Sequence, residues 1–168
     1  MARELPVQRL RFPVGLLKAK NGELPEDLLA PIKPYGRLYA RSAAIAWQMM
    51  RSEAKKVDVT LRPTSTVDTY RPLSVQTAVF LQRYQLEPIP GRPVRRWNGQ
   101  IYYQKPGVAA AASPGTSNHG WGLAVDVWNV AQNGRLDWLL AHAKRFGFSW
   151  ELQSEPWHLS YVLGDDLP

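Results

Sequence analysis

The sequence contains no cysteine among its 168 residues. Disulfide bonds and thiolate metal ligands are therefore both excluded. The absence fits a reducing compartment and an oxidising one equally well, so it does not distinguish between them. Any metal ion bound by this chain has to be held by nitrogen and oxygen ligands.

Long hydrophobic runs are also missing. No stretch approaches the roughly 20 apolar residues that a membrane-spanning helix requires. The first 20 residues carry charges, and Pro13 and Gly15 interrupt their apolar stretch, so the core of a secretory signal does not form. We therefore expect cytoplasmic synthesis without a signal peptide.

Acidic residues are fewer than basic ones: 14 Asp and Glu stand against 21 Lys and Arg, a net charge of +7. Such a surface favours polyanionic partners, including nucleic acid and an anionic cell wall. The arginines are scattered apart from Arg92, Arg95 and Arg96, and no predicted helix carries a basic stripe, which argues against nucleic-acid recognition. A basic surface that only aids solubility is an equal alternative.

The length and a hydrophobic fraction of 45% fit a single globular domain. Residues 1–34 are rich in Pro, Gly and charge and are predicted to form an extended N-terminal arm. Residues 35–168 would then form the folded domain. The mixture of helices with short, mostly hairpin-connected strands predicts an α+β fold with an antiparallel sheet and flanking helices.

Three helices are predicted from apolar periodicity. The first follows Pro34 and ends near Lys56, with Leu38, Ile45 and Met49 on its apolar face. The second begins at Pro72, and the third ends at Gly147. Among the strands, Asn98-Gly99 predicts a type I′ hairpin turn. The predicted strands are 57–61, 66–70, 94–97, 100–103, 123–128, 148–151 and 157–162.

Two of the chain's three histidines lie close to acidic residues. His119 is in a glycine-rich turn, and Asp126 follows seven residues later inside an apolar strand, where a carboxylate is costly to bury unless it is paired or bound to metal. Glu155 precedes His158 by three residues. Each alone has an ordinary explanation, such as a structural histidine or a salt bridge. Together they match the needs of a zinc hydrolase, which are three protein ligands, an open coordination position and a base.

These two segments resemble the signatures of the D-alanyl-D-alanine carboxypeptidase family of zinc peptidases. That family includes vancomycin-resistance D,D-peptidases and phage L-alanyl-D-glutamate endolysins, and it is related in fold to hedgehog signalling domains. The resemblance covers residues 57–161. The two motifs are Ser117-x-His119-x-x-Gly122-x-Ala124-x-Asp126 and Glu155-x-Trp157-His158.

The resemblance implies a role for each motif residue. Zn2+ would be bound by His119, Asp126 and His158, and Glu155 would be the general base. Residues 35–168 would thus be a zinc peptidase catalytic domain.

A second element, Tyr70-Arg71 with Gln76, resembles the family's Tyr-Arg-x-x-x-x-Gln, and it implies that Arg71 clamps an oxyanion or a substrate carboxylate. A surface arginine is the alternative. Asp68-Thr69 stands where the family usually has Ser-Gly.

Substrate-binding roles are predicted for Ser117, Gln76 and Trp157, with turn formation the alternative for Ser117 and core packing for Trp157. The implied substrate is the peptide stem of bacterial peptidoglycan, cut by a monomeric phage-type endolysin that reaches the wall after release or from a virion. Endopeptidase and carboxypeptidase action both stay open. A non-catalytic hedgehog-like zinc domain and a virion component that binds cell wall are the alternatives to an enzyme.

Overall fold

The computed structural model describes residues 4–168, and the predicted α+β class with antiparallel sheets is confirmed. The helices are α1 (Ala43–Lys55), α2 (Leu73–Arg83) and α3 (Arg135–His142). The strands are β1 (Leu29–Pro31), β2 (Arg37–Tyr39), β3 (Tyr84–Gln85), β4 (Val94–Trp97), β5 (Gln100–Gln104), β6 (Ala124–Asp126), β7 (Phe148–Trp150) and β8 (His158–Tyr161). No helix within residues 4–168 is both long enough and apolar enough to cross a membrane.

The sheet that matters most for function has the strand order β6-β8-β7, with β8 in the centre. Both of its strand pairs are antiparallel, and the register places Asp126 directly opposite His158. Directly opposed residues have Cβ atoms only about 4.5–5.5 Å apart. Two motif residues 32 positions apart in sequence are thereby brought side by side.

Helix α1 packs on the main core with a different face from the one predicted. Its buried residues include Ala43, Trp47 and Met50, whereas Ile45 and Met49 are 42% and 45% exposed. The face prediction was wrong because small alanines form much of the buried stripe, and they carry little hydrophobic signal. Leu38, also assigned to this helix, lies in β2.

The predicted hairpin and second helix are both confirmed. Strands β4 and β5 pair through Asn98 and Gly99, whose φ angles of 47° and 73° are those that a type I′ turn requires. Helix α2 and this hairpin share a small second core of Phe80, Tyr84 and Tyr102, separate from the main one.

The two strands predicted between residues 57 and 70 are not formed. Val57 is 60% exposed, and the next residue, Asp58, has a left-handed φ of 58°, which breaks an extended strand. Residues Thr66–Asp68 form a 3₁₀ turn instead. The hydroxyl of Thr69 donates to the carbonyl of Thr66 at 2.6 Å, a local bond that competes with strand pairing.

The N-terminal segment contributes to the main core. Leu16, Leu24 and Leu29 are buried within it, and β1 pairs with β2. The segment contains 3₁₀ turns at Val14–Leu16 and Glu26–Leu28. The predicted boundary at residue 34, between an arm and a catalytic domain, stays a prediction, and residues 1–3 lie outside the described part of the chain.

Candidate active site

Three of the predicted site residues form a compact cluster that can hold a metal ion. His119, Asp126 and His158 each offer one ligand atom, and these atoms lie within 4.8 Å of one another. His119 is buried, and the other two are partly buried. Two imidazoles and a carboxylate make a donor set that suits zinc well. The three ligands that the resemblance implies therefore lie together in the structure.

A glycine-rich turn brings His119 to the cluster. His119 lies in the 3₁₀ helix Asn118–Trp121, which ends at Gly122 with a left-handed φ of 65°. A Cβ at Gly122 would lie 2.8 Å from the backbone nitrogen of Tyr39, and one at Gly120 would lie 1.9 Å from Oδ1 of Asn21. Glycine is required at both positions because neighbouring groups approach too closely for any side chain.

The backbone fixes the orientation of the His119 ring. Its Nδ1 lies 2.9 Å from the carbonyl oxygen of Thr69. Since a carbonyl can only accept, Nδ1 carries the proton. The other ring nitrogen, Nε2, lies 3.3 Å from Oδ1 of Asp126 and is the nitrogen that faces the cluster.

His158 contacts a carboxylate on each side of its ring. Nδ1 lies 2.8 Å from Oδ1 of Asp126, and Nε2 lies 3.2 Å from Oε1 of Glu151. Burial lowers the pKa of His158, but hydrogen bonds to Asp126 and Glu151 outweigh it and raise the pKa to about 9. Without a metal ion, this histidine is therefore held as an imidazolium at neutral pH.

The pKa values of the two carboxylates that contact His158 are shifted downward, opposite to that of the histidine. Burial raises the pKa of Asp126, but hydrogen bonds from His119 and His158 dominate and hold that pKa well below its usual range. Burial likewise raises the pKa of Glu151, and hydrogen bonds from His158, Ser160 and Asn118 lower it to about 2. Both groups are thus anionic, which gives the cluster the negative charge that a divalent cation requires.

Arg71 borders the cluster and is firmly held. Its Nε donates to the carbonyl of Val67 at 3.0 Å, and Nη2 pairs with Oδ1 of Asp68 at 2.9 Å. The same Nη2 lies 3.7 Å from Oδ2 of Asp126. Asp68 and Thr69, which depart from the family's usual Ser-Gly, therefore support the arginine and the first histidine respectively. The clamp role of Arg71 stays a prediction.

Gln76 is a buried residue at the edge of the cleft, and its side-chain amide is hydrogen-bonded to other parts of the protein. Nε2 donates to Oδ1 of Asn21 and to the carbonyl of Arg71, both at 3.0 Å. Its Oε1 accepts from the backbone of Gly115, also at 3.0 Å. Gln76 therefore anchors the loop that leads to the His119 motif, and a direct contact with substrate stays a prediction.

The remaining predicted residues line one cleft with the metal cluster. Glu155, Trp157 and Ser117 all border it, and Trp157 is 42% exposed. Ser117 also caps the 3₁₀ helix, because its Oγ accepts from the backbone of His119 at 3.3 Å. Within residues 4–168, the Glu155 carboxylate has no hydrogen-bond or ion-pair partner, so it is available to a molecule in the cleft.

The cleft has a volume of about 560 Å³, and its lining residues include two groups that differ in charge. We call one the metal wall; it consists of Asp126, Glu151, Glu155, Trp157 and His158. We call the second group the hairpin wall; it consists of Arg83, Arg95 and residues 109–112. Arg71 also lines the cleft, with its Nη2 3.7 Å from Oδ2 of Asp126. The cleft is therefore acidic where the metal would bind and basic along the hairpin wall.

Sequence reasoning missed Glu151. It follows β7 directly, and its carboxylate contacts His158, Ser160 and Asn118. No motif marks it, and Glu155 four residues later carries the recognisable spacing to His158. The sequence signal that could have found it is its position at the end of a predicted strand next to the strand that carries His158.

Comparison with known proteins accords with this geometry. The family model VanY, described as D-alanyl-D-alanine carboxypeptidase, matches residues 37–164. The chain belongs to the D-alanyl-D-alanine carboxypeptidase family. The resemblance that the two motifs carried is thereby confirmed. None of the curated proteins compared with the chain matches it.

Two solved structures share the fold of this D-alanyl-D-alanine carboxypeptidase family member. One is a mutant of the vancomycin-resistance D,D-pentapeptidase VanY from the VanB-type cassette, in complex with Zn(II). It has 21% identity and a TM-score of 0.53, and the match covers 83% of this chain and 82% of the other. The second is VanYB in complex with D-alanine-D-alanine, with 23% identity, a TM-score of 0.55 and coverage of 80% and 76%.

Proposed function

We propose that the protein is a zinc-dependent peptidase that hydrolyses the peptide stem of bacterial peptidoglycan. The observation that carries the proposal is the His119, Asp126 and His158 cluster at the base of an open cleft, with the unpaired carboxylate of Glu155 beside it. Family membership supports the same reaction class. VanYB was solved with D-alanine-D-alanine, and that ligand makes a D-alanine-containing peptide the first substrate to test.

The donor set fits Zn2+, which would be held by His119, Asp126 and His158. Bound zinc supplies a Lewis acid that polarises a carbonyl and makes water more acidic. Glu155 then accepts the proton of the attacking water and delivers it to the leaving amine. Arg71, kept in place by Asp68 and Val67, donates to the oxyanion that develops on the scissile carbonyl.

The hairpin wall supports an acidic peptide as substrate. A guanidinium has five N–H donors. The contacts with other residues use one donor of Arg83, toward Ala110, and two of Arg95, toward Ala111 and Val94. Donors therefore remain to bind a carboxylate of a stem peptide, such as that of a D-glutamyl residue.

The finer assignment is that of a phage-type endolysin, cutting either an L-alanyl-D-glutamate or a D,D bond. The cleft that contains the metal cluster is also lined by Arg95, so a substrate longer than a dipeptide could contact both. The net charge of +7 suits an anionic wall, which the protein would reach after release from the cytoplasm or from a virion. We propose that it acts there as a monomer.

Mass spectrometry of purified peptidoglycan tests the proposal. The zinc-loaded protein should release new stem-peptide termini that the chelator-treated protein does not. Loss of one terminal alanine would identify a D,D-carboxypeptidase, whereas new internal termini would identify an endopeptidase. Intact stems, with zinc verified in the sample, would contradict the peptidase and favour a non-catalytic zinc domain or a virion component that binds cell wall.

A further inference from the structure

Glu151 occupies a position that the peptidase chemistry described above does not use. It lies on the metal wall, and its carboxylate contacts three partners. Asn118 donates from Nδ2 to both oxygens at 2.8 Å, and the hydroxyl of Ser160 donates to Oε1. The fourth contact is Nε2 of His158 at 3.2 Å.

These contacts join the two segments that carry the histidine ligands. Asn118 precedes His119 in the 3₁₀ helix, and Ser160 follows His158 on the central strand β8. Glu151 itself is fixed because it follows the fully buried strand β7. The indole of Trp150 also donates to the carbonyl of Pro156 at 2.9 Å, which holds the loop between Glu151 and His158.

The contact with Nε2 determines which nitrogen of His158 can serve a metal. Both ring nitrogens face a carboxylate, and a carboxylate only accepts, so both carry a proton in the metal-free protein. Nδ1 lies on the side of Asp126 and the cluster, so its proton is the one that a metal ion would displace, whereas Nε2 keeps the proton that it donates to Glu151. Metal-binding histidines commonly donate their other ring N–H to a carboxylate or a carbonyl, which sets both the tautomer and the ring orientation.

We infer that Glu151 is a positioning residue that fixes the tautomer of His158 and aligns it with the segment of His119, so that the cluster binds zinc tightly. The inference rests on the proposed zinc site. His119 is oriented in the same way, because its Nδ1 donates to the backbone carbonyl of Thr69, whereas Nε2 of His158 donates to the side chain of Glu151.

The decisive measurement is the zinc dissociation constant, obtained by competition with a fluorescent chelator. Glu151→Gln keeps the size of the side chain and removes its charge, and we expect zinc affinity to fall about 10–100-fold. Glu151→Asp keeps the charge on a shorter stem and should give a smaller loss. Glu155→Gln is the matched control on the same loop. Its zinc affinity should stay within about twofold of the parent because, within residues 4–168, the Glu155 carboxylate contacts none of the three ligands.

Two further readouts separate positioning from a merely structural role. Long-range 1H–15N correlation of the zinc-loaded parent should show His158 protonated at Nε2, with that proton protected from exchange, and the signal should weaken in Glu151→Gln. The melting temperature of the metal-free variant should fall only modestly, as the loss of one charge-assisted hydrogen bond implies, so that both proteins are folded when zinc is added. A lowered melting temperature with unchanged zinc affinity, or His158 protonated at Nδ1 in the zinc form, would overturn the inference.

The inference and the proposed peptidase fail in different ways. If the parent binds zinc and cleaves peptidoglycan while Glu151→Gln binds zinc equally well, the role of Glu151 is wrong and the peptidase stands. If Glu151→Gln loses zinc affinity but the parent cleaves no stem peptide, the positioning role stands and the peptidase is wrong. A parent that binds no zinc would overturn both.

Discussion

The two walls of the cleft are supported very differently. The metal wall is built on β6, β7 and β8, whose buried residues belong to the main core together with helix α1 and the N-terminal segment. The hairpin wall rests on Phe80, Tyr84 and Tyr102 and on the edge of Trp97. Metal-ligand geometry has to be held within about half an ångström, which requires a rigid supporting core. Under the proposed function, catalysis and substrate binding would therefore take place on two parts of the molecule that are stabilised by separate cores.

The largest expected effect comes from removing a ligand on the metal wall. His158→Ala should reduce zinc stoichiometry from one per chain to nearly zero and abolish hydrolysis, because two ligands cannot replace three. The loss should exceed the roughly 10–100-fold that follows removal of a partner hydrogen-bonded to a ligand. Elemental analysis after dialysis measures it.

The third histidine supplies the control for that experiment. His142 lies on α3 with its ring 4.6 Å from that of Trp138, away from the cleft lining. His142→Ala should therefore keep one zinc per chain. Equal zinc content in both variants would contradict the assignment of His158 as a ligand.

The next effect separates catalysis from metal binding within the same wall. Glu155→Gln keeps the shape of the side chain but cannot accept a proton, so hydrolysis should slow about 10²–10⁴-fold. Zinc content should stay at that of the parent, since the Glu155 carboxylate contacts none of the ligands within residues 4–168. Hydrolysis at the parental rate would show that another group is the base.

The third effect tests whether the hairpin wall has its own stability. Phe80 is fully buried and stacks on Tyr84 with ring centroids 4.8 Å apart. Phe80→Ala should cost about 3–5 kcal/mol in the free energy of unfolding while zinc affinity stays unchanged. Urea denaturation measures the first quantity and chelator competition the second.

The neighbouring residue offers a matched control. Leu81 is 45% exposed, so Leu81→Ala should shift stability by roughly 0.5 kcal/mol or less. A fall in zinc affinity in Phe80→Ala would mean that the two walls are coupled and are not separately stabilised.

The smallest effect concerns substrate affinity at the hairpin wall. Arg95→Gln should raise KM for an acidic stem peptide about tenfold and leave kcat little changed. A tenfold change is about what the loss of one charge-assisted hydrogen bond to the substrate produces. Arg96 is exposed, does not line the cleft and faces the other side of strand β4, so Arg96→Gln should leave KM unaltered. Equal KM values for both variants would remove Arg95 from substrate binding.

Local sequence signals predicted the features that depend on neighbouring residues. The Asn98-Gly99 turn, the start of α2 and the end of the α3 region at Gly147 all follow from the conformations that single residues allow. The convergence of His119, Asp126 and His158 was predicted because the two motifs are specific to the family.

Other features depend on contacts between distant residues. Glu151 meets Asn118 across 33 positions, and nothing near Glu151 in sequence marks that contact. The buried face of α1 was misassigned because Ala43 and Ala54 are small, and their burial depends on what packs against them. The strand predicted over 57–61 was wrong because β-propensity depends strongly on tertiary context.

The two histidine ligands also differ in whether a single mutation can remove the hydrogen-bond acceptor that orients the ring. The acceptor beside Nδ1 of His119 is the main-chain carbonyl of Thr69, which every amino acid at that position would supply. The acceptor beside Nε2 of His158 is the side chain of Glu151, which a single codon change can delete. Among sequences descended from this chain, the acceptor of His158 should therefore be lost by mutation earlier than the acceptor of His119.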